Sequence, residues 1–335
     1  MPEPLLRVAD LHVHFQTDDG LVRAVNGVSF DLLPGETLGI VGESGSGKSV
    51  TNLAMLGLVP RPPGVIAAGQ AWFEGKDLLR MNTSELSHIR GRRIAIIFQD
   101  PMTALNPFLT VGDQIGEVTR LHLKHTAQQA RQHAIAMLGQ VGIPAPDRRI
   151  DDYPHQFSGG MRQRVMIAMA LACQPDVLIA DEPTTALDVT IQAQMLELIK
   201  DLQRRQGTAV ILVTHALGVV ASVCDRVLVM YAGKIVEEAR VGPLFAQPQH
   251  PYTLGLMDSI PRWDASTHEP LRAIAGQPPD MLHPPGGCAF HPRCPYVLDK
   301  CRTQEPPLEP AVHGGRKACW ASVDATRPIQ AELVQ

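Results

Sequence analysis

Gly42-Glu43-Ser44-Gly45-Ser46-Gly47-Lys48-Ser49 is the stretch that decides how this chain folds. It follows the apolar run Leu38-Gly39-Ile40-Val41, which reads as a strand. It precedes a helical pattern over residues 50–58 that Arg61-Pro62-Pro63-Gly64 stops. A glycine-rich turn between strand and helix lets successive backbone N–H groups converge on an anion, and the helix dipole adds its positive end. In such a P-loop, Lys48 reaches the β- and γ-phosphates of a nucleotide and the Ser49 hydroxyl ligates Mg²⁺. Gly42, Ser44, Gly45, Ser46 and Gly47 line the rest of the cradle. By ordinary residue frequencies, about 1% of chains this long would carry the four fixed positions by chance.

Outward from the loop, short β-like runs cover residues 5–15, 21–30, 69–73 and 94–98. The texture changes after Gln99. Thr126 and Gln129 form a capping box, followed by Ala130, Ala134, Met137, Leu138 and Val141 at helical spacing. Val177-Leu178-Ile179-Ala180-Asp181-Glu182 then reads as a buried parallel strand ending in carboxylates. An open α/β sheet binds its ligand at that end of its strands, so Asp181 is expected to hold the Mg²⁺ through its water shell. Glu182 is expected to polarise a water that attacks the γ-phosphate. A solvated Asp-Glu pair is the plainer alternative, and its pairing with a P-loop argues against it. Ile191, Met195, Leu198, Ile199 and Leu202 share one helix face that ends at Gly207, and residues 209–213 and 226–231 are further strands. Residues 241–285, rich in proline, read as an irregular connector with short helices.

Composition narrows the function. The chain has 335 residues, 44% of them hydrophobic, enough for a sizeable core. A formal charge of −4 and only 4% aromatic residues argue against nucleic-acid binding. The first eight residues lack a basic start followed by an apolar run, so no secretory signal is expected. The longest stretch free of charged residues, 206–224, is broken by Gly207, Thr208, Thr214, His215, Gly218 and Ser222, which argues against a membrane span.

Of six cysteines, Cys173 and Cys224 sit singly in apolar stretches, as core thiols do. Cys288, Cys294, Cys301 and Cys319 cluster near the C-terminal end, without the paired spacing of a common zinc ribbon. Four thiolates suit either Zn²⁺ or an iron–sulfur cluster. Scattered core thiols and disulfides are the other readings, the latter disfavoured in a cytosolic chain. Long irregular loops, with Pro292 and Pro295 flanking Cys294, fit the larger cluster better than one tetrahedral ion.

Phe157-Ser158-Gly159-Gly160-Met161, ahead of the Asp181 strand, resembles the signature of ATP-binding-cassette (ABC) ATPases. Gln99 resembles the Q-loop glutamine, Ala186-Leu187-Asp188 the D-loop, Thr214-His215 the switch histidine, and Phe15 the adenine-stacking aromatic. Gln99-Asp100-Pro101-Met102-Thr103-Ala104-Leu105-Asn106-Pro107, Tyr153-Pro154-His155-Gln156, His250-Pro251-Tyr252-Thr253 and the tail 287–301 are similar to the dipeptide/oligopeptide importer ATPases, most like the D type. The resemblance implies an α/β, RecA-like P-loop NTPase cassette over residues 1–240, comprising a β-subdomain and a helical subdomain at about 100–170. A Cys-rich extension over 241–335 follows.

It further implies ATP hydrolysis with Glu182 as base, His215 holding the γ-phosphate and water, and Gln99 sensing that phosphate. Ser49, Gln99 and Asp181 would hold Mg²⁺. In a head-to-tail dimer, Ser158, Gly159 and Gly160 of one chain, leading into a helix over 162–172, would bind the nucleotide of the other, with Asp188 beside it. The implied partners are a second, related ATPase, two permeases and an extracytoplasmic peptide-binding protein, with no nucleic acid. The implied place is the cytoplasmic face of the inner membrane. Similar tails carry a 4Fe–4S cluster, which favours that reading of the four cysteines over Zn²⁺. Nickel or glutathione import, or a soluble cassette without a permease, are the alternatives. The signature departs from the broad pattern at Phe157 and Met161, and Ala216 stands where most importers have Asp, which predicts the loss of a local hydrogen bond.

Overall fold

The computed structural model describes residues 3–183, 189–259, 274–312 and 314–323. Two compact units divide the chain: Met1–Glu3, Leu33–Glu36 and Arg80–Val213 form one, and Pro4–Leu32, Thr37–Leu79 and Thr214–Gln335 the other.

In the first unit, strand Val177–Asp181 lies parallel to Ile94–Ile97 and to Ala209–Thr214, in register Ile94↔Val177 and Val177↔Ala209. Every residue of Val177–Asp181 is buried, which is why it carries no polar alternation. Helices Val111–Leu123, Ala127–Gln140, Gly159–Leu171 and Val189–Gln206 accompany it. The expected capping box exists: the Thr126 side chain accepts from Gln129 N, and the Gln129 side chain accepts from Thr126 N. The signature helix begins at Gly159, three residues earlier than expected, because Ser158 itself is the N-cap.

In the second unit, Leu6–Thr17 pairs antiparallel with Gly20–Leu32 and Gly64–Phe73, making an all-antiparallel sheet with Lys76–Asp77. Thr37–Val41, the strand before the P-loop, lies parallel to Arg226–Tyr231. Arg226–Tyr231 then turns antiparallel into Lys234–Arg240. Sequence patterning misses this last strand because Glu237 and Glu238 interrupt its apolar run. Both are buried, and each is satisfied. Glu237 accepts from the Gln249 and His250 backbone N–H groups, while Glu238 pairs with Arg226 and Arg316. The short strand Arg316–Lys317 adds to the edge of Lys234–Arg240, so the C-terminal extension continues this sheet. Helices Val241–Ala246 and Pro251–Asp258 are the expected short helices of the connector.

Candidate functional site

The P-loop is built where Thr37–Val41 ends and helix Lys48–Met55 begins. Gly47 has φ 98°, and a Cβ there would lie 2.4 Å from the Ala24 carbonyl oxygen, so only glycine fits. Ser44 and Gly45 form the exposed tip, whereas Gly42, Ser46, Gly47 and Lys48 are buried and Ser49 is half-buried. Lys48 Nζ donates to the carbonyls of Gly42 at 2.8 Å and Glu43 at 2.9 Å, and to Ser46 Oγ at 3.4 Å. The cation thus rests on the loop's own oxygens, and a phosphate can compete for it. Gly233 N donates to Ser46 O at 3.0 Å, tying the loop to the hairpin after Arg226–Tyr231. Phe15 lies half-buried on Leu6–Thr17, close to Gly64.

In the other unit, Asp181 closes its strand with 6% exposure. Glu182 follows with φ 46°, a left-handed conformation uncommon outside glycine. Its N–H donates to Val213 O at 2.9 Å, which fixes the turn. Gln99, exposed just beyond Ile94–Ile97, donates from Nε2 to Glu182 Oε2 at 2.9 Å. The two residues expected to act on the γ-phosphate therefore touch each other. Ser158 Oγ accepts from Met161 N at 3.4 Å, which caps helix Gly159–Leu171 and leaves Gly159 and Gly160 as its first two residues. First-turn amides have no intrahelical acceptor, a geometry that suits an anion. Arg162 Nε donates to Pro154 O at 2.7 Å and locks the Tyr153-Pro154-His155 segment to the signature helix.

His215 is exposed directly after Ala209–Thr214. Ala216 caps the following helix Leu217–Val223 without a side-chain bond of its own, but its N–H donates to Thr214 Oγ1 at 3.0 Å. That bond uses the backbone, and the helix lacks a side-chain cap at Ala216. Asp188, with Ala186 and Leu187, lies outside the described residues.

The "ABC transporter" family model matches residues 25–185, and the model "Oligopeptide/dipeptide transporter, C-terminal region" matches residues 236–301. The chain is 57% identical over 299 residues to the dipeptide transport ATP-binding protein DppD of Bacillus subtilis, covering 89% of each. It is 51% identical to the oligopeptide transport ATP-binding protein OppD of Haemophilus influenzae, covering 96% of this chain and 98% of that one. The chain belongs to the ABC transporter family. Among solved structures, the cassette resembles the dimeric post-hydrolysis state of the ATP-binding cassette MJ0796 bound to ADP and Pi. That likeness has a TM-score of 0.63 and 26% identity, over 70% of this chain and 98% of that one.

In this ABC cassette the C-terminal extension gathers the four tail cysteines. Cys288, Cys294, Cys301 and Cys319 all line one small cavity, together with His250, Phe290, His291, Tyr296 and Trp320. Gly287 (φ 65°) lets the chain pass there, since a Cβ would lie 2.4 Å from Cys301 O. Cys288 N donates to Cys301 O at 2.8 Å, and Cys294 N to His291 O at 3.3 Å. Burial pushes the Cys288 thiol up to about 11 and the Cys294 thiol to about 12, and it raises Cys319 too. These thiols are neutral unless a cation draws off their protons. No three of the described His, Cys, Asp or Glu residues are arranged to hold a metal ion, so neither the expected 4Fe–4S cluster nor the Zn²⁺ alternative finds a ready-made site. Cys224 is half-buried, and desolvation pushes its thiol up to about 12.

Sequence reading missed a contact between this extension and the P-loop. Arg293, in the turn between Cys288 and Cys294, forms a two-pronged ion pair with Glu43, at 2.7 and 2.9 Å. Tyr252 Oη accepts from the Glu43 N–H at 2.8 Å. The pairs are 250 and 209 residues apart, and no local pattern connects positions so distant. The only signal was that Glu43 and Arg293 each stand inside a motif that does not itself explain their charge.

Proposed function

We propose that this chain is the ATP-binding and hydrolysing subunit of an ABC importer that takes up dipeptides or oligopeptides. What carries the reading is the union, in one chain, of a glycine-built phosphate cradle and the oligopeptide/dipeptide transporter C-terminal region over residues 236–301. The partners in this reading are a second, related ATPase, two permeases and an extracytoplasmic peptide-binding protein. The chain then works peripherally at the cytoplasmic face of the inner membrane. No described helix is long and apolar enough to cross a membrane. Met102 and Phe108, 62% and 86% exposed beyond Gln99, are suited to docking on a permease.

In the mechanism, the P-loop amides and Lys48 bind the β- and γ-phosphates, and Phe15 stacks on the adenine. Mg²⁺, which Ser49, Gln99 and Asp181 would hold, supplies charge neutralisation at the phosphates. The Glu182 carboxylate accepts a proton from the attacking water, and His215 orients that water and the γ-phosphate. Gln99 leaves Glu182 for the nucleotide as ATP arrives, which couples occupancy to the helical subdomain. Ser158, Gly159 and Gly160 of one ATPase close on the nucleotide of the other, with Asp188 alongside, so that ATP bridges the pair. We also assign a 4Fe–4S cluster to Cys288, Cys294, Cys301 and Cys319, supported by the single cavity that all four line. That cluster would brace the extension.

ATPase activity of the complex, reconstituted with its binding protein and challenged with dipeptides, longer peptides, glutathione and nickel, tests the substrate. Stimulation by peptides supports the reading, and stimulation by nickel or glutathione alone replaces it. Anaerobically purified protein lacking broad visible absorption and acid-labile sulfide would remove the cluster assignment.

A further inference from the structure

Glu43 occupies a variable position of the P-loop pattern, where phosphate binding asks for no carboxylate. A negative side chain beside an anion cradle repels the nucleotide it should bind. Here the charge is answered from the C-terminal extension. The Arg293 side chain is 4% exposed and makes both prongs of its fork to the Glu43 carboxylate, which is itself 27% exposed. The same guanidinium donates to Tyr231 Oη at 3.3 Å, Ala275 O at 3.0 Å and Ile274 O at 3.4 Å. It also lies over the rings of Tyr231 and Phe290, 5.9 Å from each centroid. An arginine held by so many partners cannot swing away, so its fork presets where Glu43 sits. Tyr252 fixes the Glu43 amide, and Lys48 donates to the Glu43 carbonyl. Side chain, amide and carbonyl of one loop residue are all engaged, the first two by the extension.

We propose that Arg293 is a positioning residue for the nucleotide site, neutralising and holding Glu43 so that the P-loop accepts a triphosphate. This rests on the reading of the P-loop as the ATP site. It gives the extension a direct part in ATP binding, separate from any group the cysteines hold.

The test is a titration of the full-length chain with a fluorescent ATP analogue, comparing wild type, Arg293→Met, Glu43→Gln and the double variant. Removing only the arginine leaves an uncompensated carboxylate, so Arg293→Met is expected to weaken binding about tenfold. Glu43→Gln removes the repulsion as well as the pair, so the double variant is expected to return to within about threefold of wild type. The Arg293→Met deficit should shrink in high salt, which screens charge and leaves a packing defect untouched. Arg293→Lys keeps the charge but loses the fork, so it should fall between wild type and Arg293→Met. Unaltered affinity in Arg293→Met, or a double variant as weak as Arg293→Met, overturns the proposal. A tenfold loss in Arg293→Lys does so too. A wild-type chain that binds no ATP analogue at all counts instead against the nucleotide site itself.

Discussion

The end of strand Thr37–Val41 and the end of strand Val177–Asp181 are both fully buried parallel strands that run out into charged residues, yet they are held very differently. At the first, Glu43 is gripped by an arginine fork and a tyrosine hydroxyl, and Ser46 O is tied to Gly233 N. At the second, the Glu182 carboxylate accepts from an exposed glutamine, and the Glu182 N–H donates to Val213 O. Binding an invariant group, the polyphosphate, favours a cradle organised in advance. A proton acceptor that must act only when nucleotide and partner are in place is better on a tether that can let go. In the proposed mechanism the difference between the two strand ends would separate affinity from turnover.

The sharpest way to break this comparison is Glu182→Gln. It keeps size and the capacity to meet Gln99 but removes the proton acceptor. Turnover should fall by about 10²–10⁴, the usual worth of general base catalysis, while ATP affinity stays within about threefold. The variant should accumulate as an ATP-bound dimer, seen by size-exclusion chromatography. Undiminished hydrolysis would take Glu182 out of the base role. His215→Ala should resemble it, with ATP bound but turnover lost, and normal transport by that variant would remove the histidine from the mechanism.

A smaller effect is expected from Gln99→Ala, which cuts the tether at the second strand end. One hydrogen bond to a charged group is worth about 1.5–3 kcal/mol, and water recovers most of it at an exposed site. ATP affinity measured without Mg²⁺ should change less than threefold. Basal hydrolysis should lose its response to the binding protein, because in the proposed mechanism Gln99 reports occupancy. A response of wild-type size in Gln99→Ala would mean that the contact with Glu182 carries no signal.

What the sequence disclosed follows the same division. Contiguous patterns, such as the loop between strand and helix, the buried run into Asp181 and the Thr126–Gln129 box, were legible because their physics is local. Strand Lys234–Arg240 was not, since buried Glu237 and Glu238 look like a solvated turn until their amide and arginine partners are seen. The grip on Glu43 was invisible for a related reason. Its partners come from the far end of the chain, and each lies in a segment whose proline content reads as irregular. Four cysteines in sequence suggested a common site; all four line one small cavity, whose occupant is left to the experiment above.

The least effect, and the most specific to the rigid side of the comparison, concerns pH. His250 is fully buried, and its Nδ1 accepts from Tyr252 N at 3.1 Å, capping the helix that presents the Tyr252 hydroxyl to Glu43. Burial, helped by Lys317, lowers its pKa to about 3. A protonated Nδ1 could not accept that bond. The folded state thus resists a proton that the unfolded chain takes up near 6.5, so this stability is complete above about pH 6.5 and is lost as the pH falls towards 3. At pH 5 the loss is about 2 kcal/mol. Glu237, whose pKa burial raises, acts in the opposite sense, because the folded state takes up its proton first. His250→Asn separates the two, since asparagine is a good N-cap that does not titrate and Glu237 is common to both chains. Between pH 7.5 and 5 the variant should lose about 2 kcal/mol less than wild type in denaturant titrations, with ATP affinity at pH 7.5 unchanged. Parallel pH profiles for the two chains would show that the cap beneath Tyr252 tolerates a charged imidazole, and the extension would then be looser on the P-loop than its contacts indicate.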